Sequence, residues 1–150
     1  MLTSGTRLPR IELEDTAGRP WERAGSVLLY FMRSTSCPLC NRHVRDLVAR
    51  RDHFAGSGID IAVVVPEDRA TAVAWKAERG IPFPVLVGPA GSPHESIGLT
   101  RKMFGSMQQS GTVLVGPDGV VRHAHGATLP AAAYDRKGID AAVEALVDAA

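Results

Sequence analysis

One stretch of this sequence constrains the fold more than any other. Residues 27–32 form a continuous apolar run, four polar residues follow, and then the chain reads Cys37-Pro38-Leu39-Cys40. The run has the length of a buried strand, and a helical pattern begins at the cysteines. Pro38 suits the first position of that helix, because its φ is already helical and no donor is needed there. The sequence therefore predicts a strand that passes into a helix at the cysteine pair.

The two cysteines of the chain both lie at this junction, which indicates thiol chemistry. The start of a helix offers unpaired backbone N–H groups and the positive end of the helix dipole, and both favour a thiolate. Arg33, Arg42 and Arg45 add positive charge nearby. We therefore expect at least one of the two thiols to have a pKa below the free value of about 8.5. One sulfur can then attack a substrate while the other resolves the product as a disulfide.

Two other uses of paired cysteines fit the sequence less well. A structural zinc site needs a second pair of ligands, and only His43 follows at a suitable spacing. Haem attachment requires a histidine directly after the second cysteine, where this chain has Asn41. Redox chemistry at Cys37 and Cys40 is therefore favoured, and no metal or cofactor is expected. His43 is interpreted as a solvated side chain, with tuning of the thiol as the alternative.

Length and composition favour one soluble domain. The chain has 150 residues, and we expect residues 1–150 to form a single domain. Its formal net charge of +1 provides no global field for binding nucleic acid or a membrane surface. The N-terminus has no apolar signal region, and no apolar run approaches the length of a membrane span. Two cysteines placed for catalysis in such a chain are typical of the reducing cytoplasm.

The remaining patterns predict an alternating α/β domain. In order, we expect a small hairpin at 11–18, a strand at 26–32, a helix from the cysteines to about 54, a strand at 60–65, a helix at 68–79, a strand at 83–87, an irregular region at 88–111, a hairpin at 112–124 and a helix at 139–149. Strand–helix–strand units pair in parallel, and the late hairpin adds antiparallel strands. The prediction is a mixed central sheet flanked by helices on both faces, with the cysteine pair at the carboxyl end of a central strand. His123 and His125 alternate on the late hairpin, and both are interpreted as pointing outward.

Three segments carry a resemblance to a known family. They are the strand and cysteine site at 27–40, the sequence Gly-Ile-Pro-Phe-Pro-Val-Leu at 80–86, and the hairpin residues 111–115 and 118–122. Over roughly residues 8–125 the chain resembles the thioredoxin fold, and more closely the alkyl hydroperoxide reductase/thiol-specific antioxidant (AhpC/TSA) group of peroxiredoxins. This resemblance implies a thioredoxin-like α/β fold. It also implies an antioxidant oxidoreductase that reduces hydroperoxides through a Cys37/Cys40 dithiol–disulfide cycle and is restored by a thioredoxin-like reductant.

The chain departs from the peroxiredoxin pattern around the cysteines. Peroxiredoxins place a proline, a threonine or serine, and the peroxide-attacking cysteine at spacing Pro-x-x-x-Thr-x-x-Cys. With Cys40 as that cysteine, Arg33 replaces the proline and Cys37 replaces the threonine. The family's peroxide-orienting arginine corresponds to Ser110, and Gly111 stands where thioredoxins carry a cis-proline. The resemblance implies catalytic roles for both cysteines, and the substrate-binding positions it suggests are Arg33, Ser36, Pro38, Ser110, Gly111 and Thr112.

Several alternatives remain open at this point. The family likeness favours Cys40 as the first attacker, whereas the capping position and the thioredoxin likeness favour Cys37. The substrate is either a hydroperoxide or a protein disulfide, so a thioredoxin-like disulfide oxidoreductase without efficient peroxidase activity is a second hypothesis. A non-enzymatic redox sensor is a third. We expect a monomer or a homodimer, and we expect Arg33 to return part of the positive charge lost at Ser110.

Overall fold

Strands and helices alternate through the first half of the chain, and a hairpin and a helix complete it. A computed structural model describes residues 2–102 and 107–149. Its elements are β1 (Ser26–Phe31), α1 (Pro38–Ala49), α2 (Arg51–Gly56), β2 (Ile59–Val64), α3 (Arg69–Arg79), β3 (Val85–Leu86), β4 (Arg101–Lys102), β5 (Met107–Gln108), β6 (Ser110–Val115), β7 (Val121–Ala127) and α4 (Arg136–Asp148), with short 3-10 helices at Pro93–Ile97 and Pro130–Ala132. Within the described residues, no helix has both the length and the apolar character needed to cross a membrane.

Five strands form one mixed sheet in the order β3-β2-β1-β6-β7. β1 pairs in parallel with β2, and β2 pairs in parallel with β3. β6 pairs antiparallel with both β1 and β7. β1 is the central strand, since Leu29 lies opposite Ala62 on one side and opposite Val113 on the other. The predicted mixed sheet, with parallel strands followed by an antiparallel hairpin, is confirmed.

Alternate residues of β1 face two different hydrophobic clusters, as the period-two geometry of a strand requires. Leu28 and Tyr30 belong to the cluster that also contains the apolar sides of α1, α3 and α4. Leu29 and Phe31 belong to the cluster on the opposite face, which is covered by the N-terminal segment and the 3-10 helix at Pro93–Ile97. The helix that carries the cysteines therefore packs directly against the central strand.

Polar caps set the starts of the later helices. The Asp68 side chain accepts the backbone N–H of Thr71 at 2.9 Å, so α3 begins where the sequence predicts. The last helix begins at Arg136 rather than at 139, because Asp135 caps it by accepting the N–H of Gly138. Such caps satisfy donors that the helix cannot satisfy itself.

The single helix predicted to run to about residue 54 is wrong: it is two helices, α1 and α2, joined at Arg50. The backbone of Arg50 is not helical, with φ of −102° and ψ of 10°. Its guanidinium is held by Asp140 of α4 and donates to the hydroxyl of Tyr134. These long-range contacts interrupt a pattern that is locally helical.

Two predicted strand regions are shorter than expected. β3 contains only Val85–Leu86, because Pro84 has no N–H to donate to the sheet. The predicted hairpin at 11–18 is reduced to isolated pairings of Glu14 with Pro20 and with Val87. Conversely, the region predicted to be irregular contains the small β4–β5 sheet, and its residues 103–106 lie outside the described part of the chain.

Candidate active site

The cysteine pair lies where the sequence predicts, at the point where the chain leaves the central strand and enters α1. Cys37 is the N-cap residue and Pro38 is the first helical residue. The sulfur of Cys37 accepts a hydrogen bond from the backbone N–H of Cys40 at 3.3 Å. Both cysteines are free thiols, and both are buried. The helix therefore presents one of its unpaired N–H groups to a sulfur, an arrangement that stabilises a thiolate.

Cys40 lies deeper than Cys37, with none of its surface exposed. Its sulfur faces the Cys37 thiol, the Tyr30 hydroxyl and the backbone N–H of Arg33. Burial is the largest influence, and it raises the pKa of the Cys40 thiol to about 11. The expectation of a lowered pKa is thus wrong for Cys40, because desolvation of the thiolate outweighs the favourable hydrogen bonds.

A network of buried hydrogen bonds holds the segment before α1 in place. The side-chain amide of Asn41 donates to the backbone oxygens of Thr35 and Cys37, each at 2.9 Å. The amide oxygen of Asn41 accepts from the indole N–H of Trp75 at 2.9 Å. The backbone N–H and the hydroxyl of Thr35 both donate to the Glu67 carboxylate. These contacts tie the cysteine segment to α3 and to the connection between β2 and α3.

Sequence reasoning missed Asn41, Glu67 and Trp75 as parts of the site. Asn41 could have been found, because it lies three residues before Val44 on the apolar side of α1. Its side chain is buried there, with an exposed fraction of 5%. A buried amide needs partners, so its position was a signal. Glu67 and Trp75 carry no comparable local signal, since their role depends on the sheet bringing β2 and α3 beside the cysteine segment.

Arg33 directs its backbone and its side chain to different places. The backbone N–H faces the Cys40 sulfur. The half-buried guanidinium donates through Nη1 to the sulfur of Met107 at 3.2 Å. Its Nε is buried and has no hydrogen-bond partner among the described residues. The side chain thus keeps a free donor at the end of β1, close to the cysteine segment.

Two of the predicted substrate-binding residues on β6, Ser110 and Thr112, differ in the hydrogen bonding of their hydroxyl groups. Ser110 is fully buried, and its hydroxyl has no partner among the described residues. It lies beside the carboxyl end of β1, since the next residue, Gly111, is paired with Phe31. The hydroxyl of Thr112, in contrast, donates to the Ala133 carbonyl at 3.0 Å. Among the described residues, the Ser110 hydroxyl is thus unpaired and lies near the site. The Thr112 hydroxyl instead holds the segment between β7 and α4 in place.

Gly111 is required by the close approach of two strands. A Cβ at this position would lie 2.5 Å from the carbonyl oxygen of His125 on β7. The remaining predicted positions, Ser36 and Pro38, are exposed. The Ser36 hydroxyl lies 3.1 Å from the Ser34 hydroxyl. Ser36 and Pro38 thus flank Cys37 on the solvent side.

A cavity of about 570 Å³ lies beside the cysteine segment. Thr35 and Ser36 line it on one side, and Thr71, Trp75 and Arg79 of α3 line it on the other. A larger cavity of about 640 Å³ lies beneath the N-terminal segment, and its lining includes neither cysteine. The lining of the smaller cavity also includes neither cysteine, so this cavity adjoins the cysteine segment without reaching the sulfurs.

The interpretation of His43 as a solvated side chain is wrong. Its Nδ1 lies 2.7 Å from the hydroxyl oxygen of Tyr30. Its ring stacks on Tyr134, with centroids 5.0 Å apart and an interplanar angle of 27°. The hydroxyl of Tyr134 donates to Asp46 at 2.7 Å. Burial lowers the pKa of His43 below its ordinary 6.5, so the ring is neutral at pH 7.

The two histidines of β7 also do not point freely outward. Nε2 of His125 lies 2.6 Å from the Ala132 carbonyl oxygen, to which it donates. The side chain of His123 is 15% exposed and lies 3.9 Å from the Asp135 carboxylate. The prediction failed because the connection to α4 folds back over this strand, which its alternating pattern alone does not indicate.

A dithiol at the start of a helix, at the carboxyl end of the central strand of such a mixed sheet, defines a thioredoxin-like thiol protein. The sequence of residues 4–124 matches the AhpC/TSA family. The chain belongs to this family.

Individual relatives are distant in sequence and close in fold. Two proteins of Mycobacterium tuberculosis named as peroxiredoxins are 25% identical to the chain over 92 residues. The chain spans 59% of the length of these curated relatives. Reduced Prx3 from Vibrio vulnificus is 19% identical, with a TM-score of 0.80 over 96% of this chain and 99% of its own. Peroxidoxin BcpB from M. tuberculosis is 18% identical, with a TM-score of 0.77 over 99% and 98% of the two chains. The thioredoxin-like fold predicted from the sequence is confirmed.

Proposed function

We propose that this protein is a thiol-dependent peroxidase that reduces hydroperoxides through a Cys37/Cys40 dithiol–disulfide cycle. The observation that carries the proposal is the arrangement of two reduced cysteines in the first turn of α1, with the sulfur of one bonded to the backbone N–H of the other at 3.3 Å. Membership of the AhpC/TSA family supports the same chemistry.

The reaction proceeds in two steps within the protein. A cysteine thiolate attacks one oxygen of R–O–O–H, the O–O bond breaks, and the cysteine becomes a sulfenic acid while the other oxygen leaves as the alcohol after protonation. The second thiolate then attacks the sulfenic sulfur. An S–S bond forms, the S–O bond breaks, and the oxygen leaves as water after protonation. The peroxide gains the two electrons that the dithiol loses, and an external dithiol of the thioredoxin type restores the pair.

Arg33 and Ser110 are the residues proposed to bind the peroxide. Both carry a buried polar atom without a partner among the described residues, at neighbouring positions beside the end of β1. A guanidinium stabilises the charge that develops on the leaving oxygen, and a hydroxyl can donate to or accept from the peroxide. Ser36 and Pro38 flank the entrance, and Gly111 provides the close strand contact. We expect the chain to act in the cytoplasm, as a monomer or a homodimer.

The disulfide oxidoreductase is the second candidate, and one observation favours it. Cys37 is the capping residue of α1, and its sulfur accepts a helix N–H, the position that suits the attacking thiol of a disulfide exchange. Under this hypothesis the same pair exchanges with a protein disulfide and no sulfenic acid forms. A redox sensor is the third hypothesis, in which the cysteine pair is oxidised but catalyses no reaction.

Two reactions of the same protein preparation separate these functions. The first is single-turnover oxidation of the reduced protein by hydrogen peroxide and by an alkyl hydroperoxide. The second is reduction of insulin disulfides by the pre-reduced protein. The proposal predicts oxidation by peroxide much faster than that of free cysteine, with slower reduction of insulin. The reverse ranking would establish the oxidoreductase, and oxidation without turnover by any dithiol donor would favour the sensor.

The order of attack follows from single variants in the same assay. In Cys37→Ser, the remaining thiol retains rapid oxidation only if Cys40 attacks first. In Cys40→Ser, rapid oxidation survives only if Cys37 attacks first. Trapping the sulfenic acid with a carbon nucleophile and locating it by mass spectrometry identifies the attacking residue directly.

A further inference from the structure

A buried chain of polar groups leads from the Cys40 sulfur to the edge of the core. The Tyr30 hydroxyl faces that sulfur within the same buried cluster, and its oxygen lies 2.7 Å from Nδ1 of His43. Tyr30 and Cys40 have no exposed surface, whereas His43 is half-buried. We propose that Tyr30 and His43 form a proton relay that removes the proton from the Cys40 thiol and returns it when the dithiol is regenerated.

Cys40 needs such a relay because of where it lies. Only a thiolate is an effective nucleophile, and burial keeps the Cys40 sulfur protonated at neutral pH. Since the residue has no exposed surface, its proton cannot pass directly to water. The relay connects the sulfur to His43, which can accept a proton and lies at the edge of the core.

The geometry permits the transfer without creating a buried phenolate. A neutral imidazole has one acceptor nitrogen. In the proposed relay that nitrogen is Nδ1, which accepts the O–H of Tyr30, and the Tyr30 oxygen accepts the S–H of Cys40. The S–H bond breaks and its proton passes to the Tyr30 oxygen, while the original Tyr30 proton passes to Nδ1. The products are a Cys40 thiolate and an imidazolium, and Tyr30 remains a neutral phenol that donates to the thiolate. This agrees with its burial, which raises the pKa of Tyr30 far above its ordinary value.

The surroundings of His43 hold the ring for this role. The stack with Tyr134 fixes its plane, and the ring of Tyr30 meets it edge-on at 5.7 Å. The titratable and charged groups that face His43 from the packed elements are Tyr30 of β1, Arg42 and Asp46 of α1, and Tyr134 before α4. Asp46 favours the imidazolium and Arg42 opposes it. Asp46 is itself paired with Arg136 at 3.4 Å and with Arg50 at 3.8 Å.

The relay rests on the proposed function but not on the order of attack. If Cys40 attacks the peroxide, the relay generates the attacking thiolate. If Cys37 attacks, the relay generates the thiolate of Cys40 that resolves the sulfenic acid. In both cases the rate of disulfide formation depends on the loss of the Cys40 proton.

The test uses two variants and a non-peroxide oxidant. Diamide converts a dithiol directly to a disulfide, so the rate of disulfide formation at saturating diamide reports the relay without a peroxide. Tyr30→Phe removes the hydroxyl and keeps the ring, and His43→Gln removes the titrating group. We expect either variant to slow disulfide formation by about 10²-fold or more, the usual size of a general acid–base contribution. In the wild type the rate should level off above the pKa of His43, where the ring is neutral, whereas in His43→Gln it should keep rising with pH, because the thiolate then forms only by direct ionisation.

A matched control separates the relay from a structural role. His53→Gln makes the same substitution at an exposed histidine and should keep the wild-type rate and pH profile. If thermal unfolding shows that Tyr30→Phe is not folded, His43→Gln still tests the relay, because His43 is only half-buried.

Each outcome decides the proposal. A slower rate that rises with pH without levelling off supports the relay. A wild-type rate in either folded variant overturns it, and so does a slower rate that retains the wild-type pH profile. The same measurements with hydrogen peroxide show whether the proposed function holds: a wild type that reacts rapidly with diamide but not with peroxide refutes the peroxidase and leaves the relay supported.

Discussion

Acid should destabilise the fold through His94, a residue buried next to the end of the central strand. Its side chain is fully buried, and Nε2 donates to the Met32 carbonyl at 2.7 Å. The ring also meets Phe31 edge-on at 5.2 Å. Burial lowers the pKa of His94 from 6.5 to about 4. Since Met32 directly precedes Arg33, this histidine also anchors the start of the cysteine segment.

The direction of the effect follows from which state binds the proton. Between about pH 6.5 and pH 4, the unfolded chain protonates His94 and the folded protein does not. The stability that His94 contributes is therefore complete above pH 6.5 and is lost as the pH falls to about 4. The difference of about 2.5 pH units corresponds to about 3 kcal/mol in the free energy of unfolding.

The matched substitution is His94→Gln, whose amide can still donate to the Met32 carbonyl but does not titrate. Denaturant unfolding at pH 7 and pH 4 gives the free energy of unfolding of each protein. We expect the wild type to lose about 3 kcal/mol more than His94→Gln between the two pH values. His53→Gln, at an exposed position, should retain the wild-type dependence. An equal loss in wild type and His94→Gln would refute the reasoning.

Three further substitutions test the roles of Arg33, Trp75 and Gly111. Arg33→Ala should slow single-turnover peroxide reduction by roughly 10²-fold, through lost stabilisation of charge in the transition state, and Arg33→Lys should recover only part. A wild-type rate in Arg33→Ala would exclude Arg33 from the reaction with peroxide. Trp75→Phe leaves the amide oxygen of Asn41 buried and unpaired, which should lower the free energy of unfolding by about 1–3 kcal/mol in denaturant unfolding; an unchanged midpoint would contradict this. Gly111→Ala places a methyl group 2.5 Å from the His125 carbonyl oxygen and should lower the free energy of unfolding by about 1–3 kcal/mol. A stability equal to that of the wild type would show that the two strands can move apart without penalty.

The parts of the fold that local sequence controls were predicted correctly. The apolar run before the cysteines, Pro38 at the first position of α1 and Asp68 as a cap act within a few residues of themselves. Because such signals are local, they locate the dithiol and the alternation of strands and helices. The mixed sheet then follows from short connections and crossover geometry.

The parts that the sequence did not reveal depend on distant contacts. His43 lies on a helix face that looks accessible in the sequence, but Tyr134, from far along the chain, covers it. Glu67 and Trp75 reach the cysteine segment only because the sheet places β2 and α3 beside it. The effect on the Cys40 thiol is of the same kind: the helix start favours a thiolate, but the depth of burial, which decides the result, is a property of the assembled core.

The covalent product of the reaction with peroxide shows whether Cys37 and Cys40 form an intramolecular disulfide. The reduced protein is treated with one equivalent of hydrogen peroxide, and the intact mass and the peptides are measured after free thiols are blocked. We expect a monomer that has lost two hydrogen atoms, no remaining thiol, and a peptide that contains a Cys37–Cys40 disulfide. Unreacted thiols, or a disulfide between chains as the main product, would rule out the Cys37/Cys40 cycle.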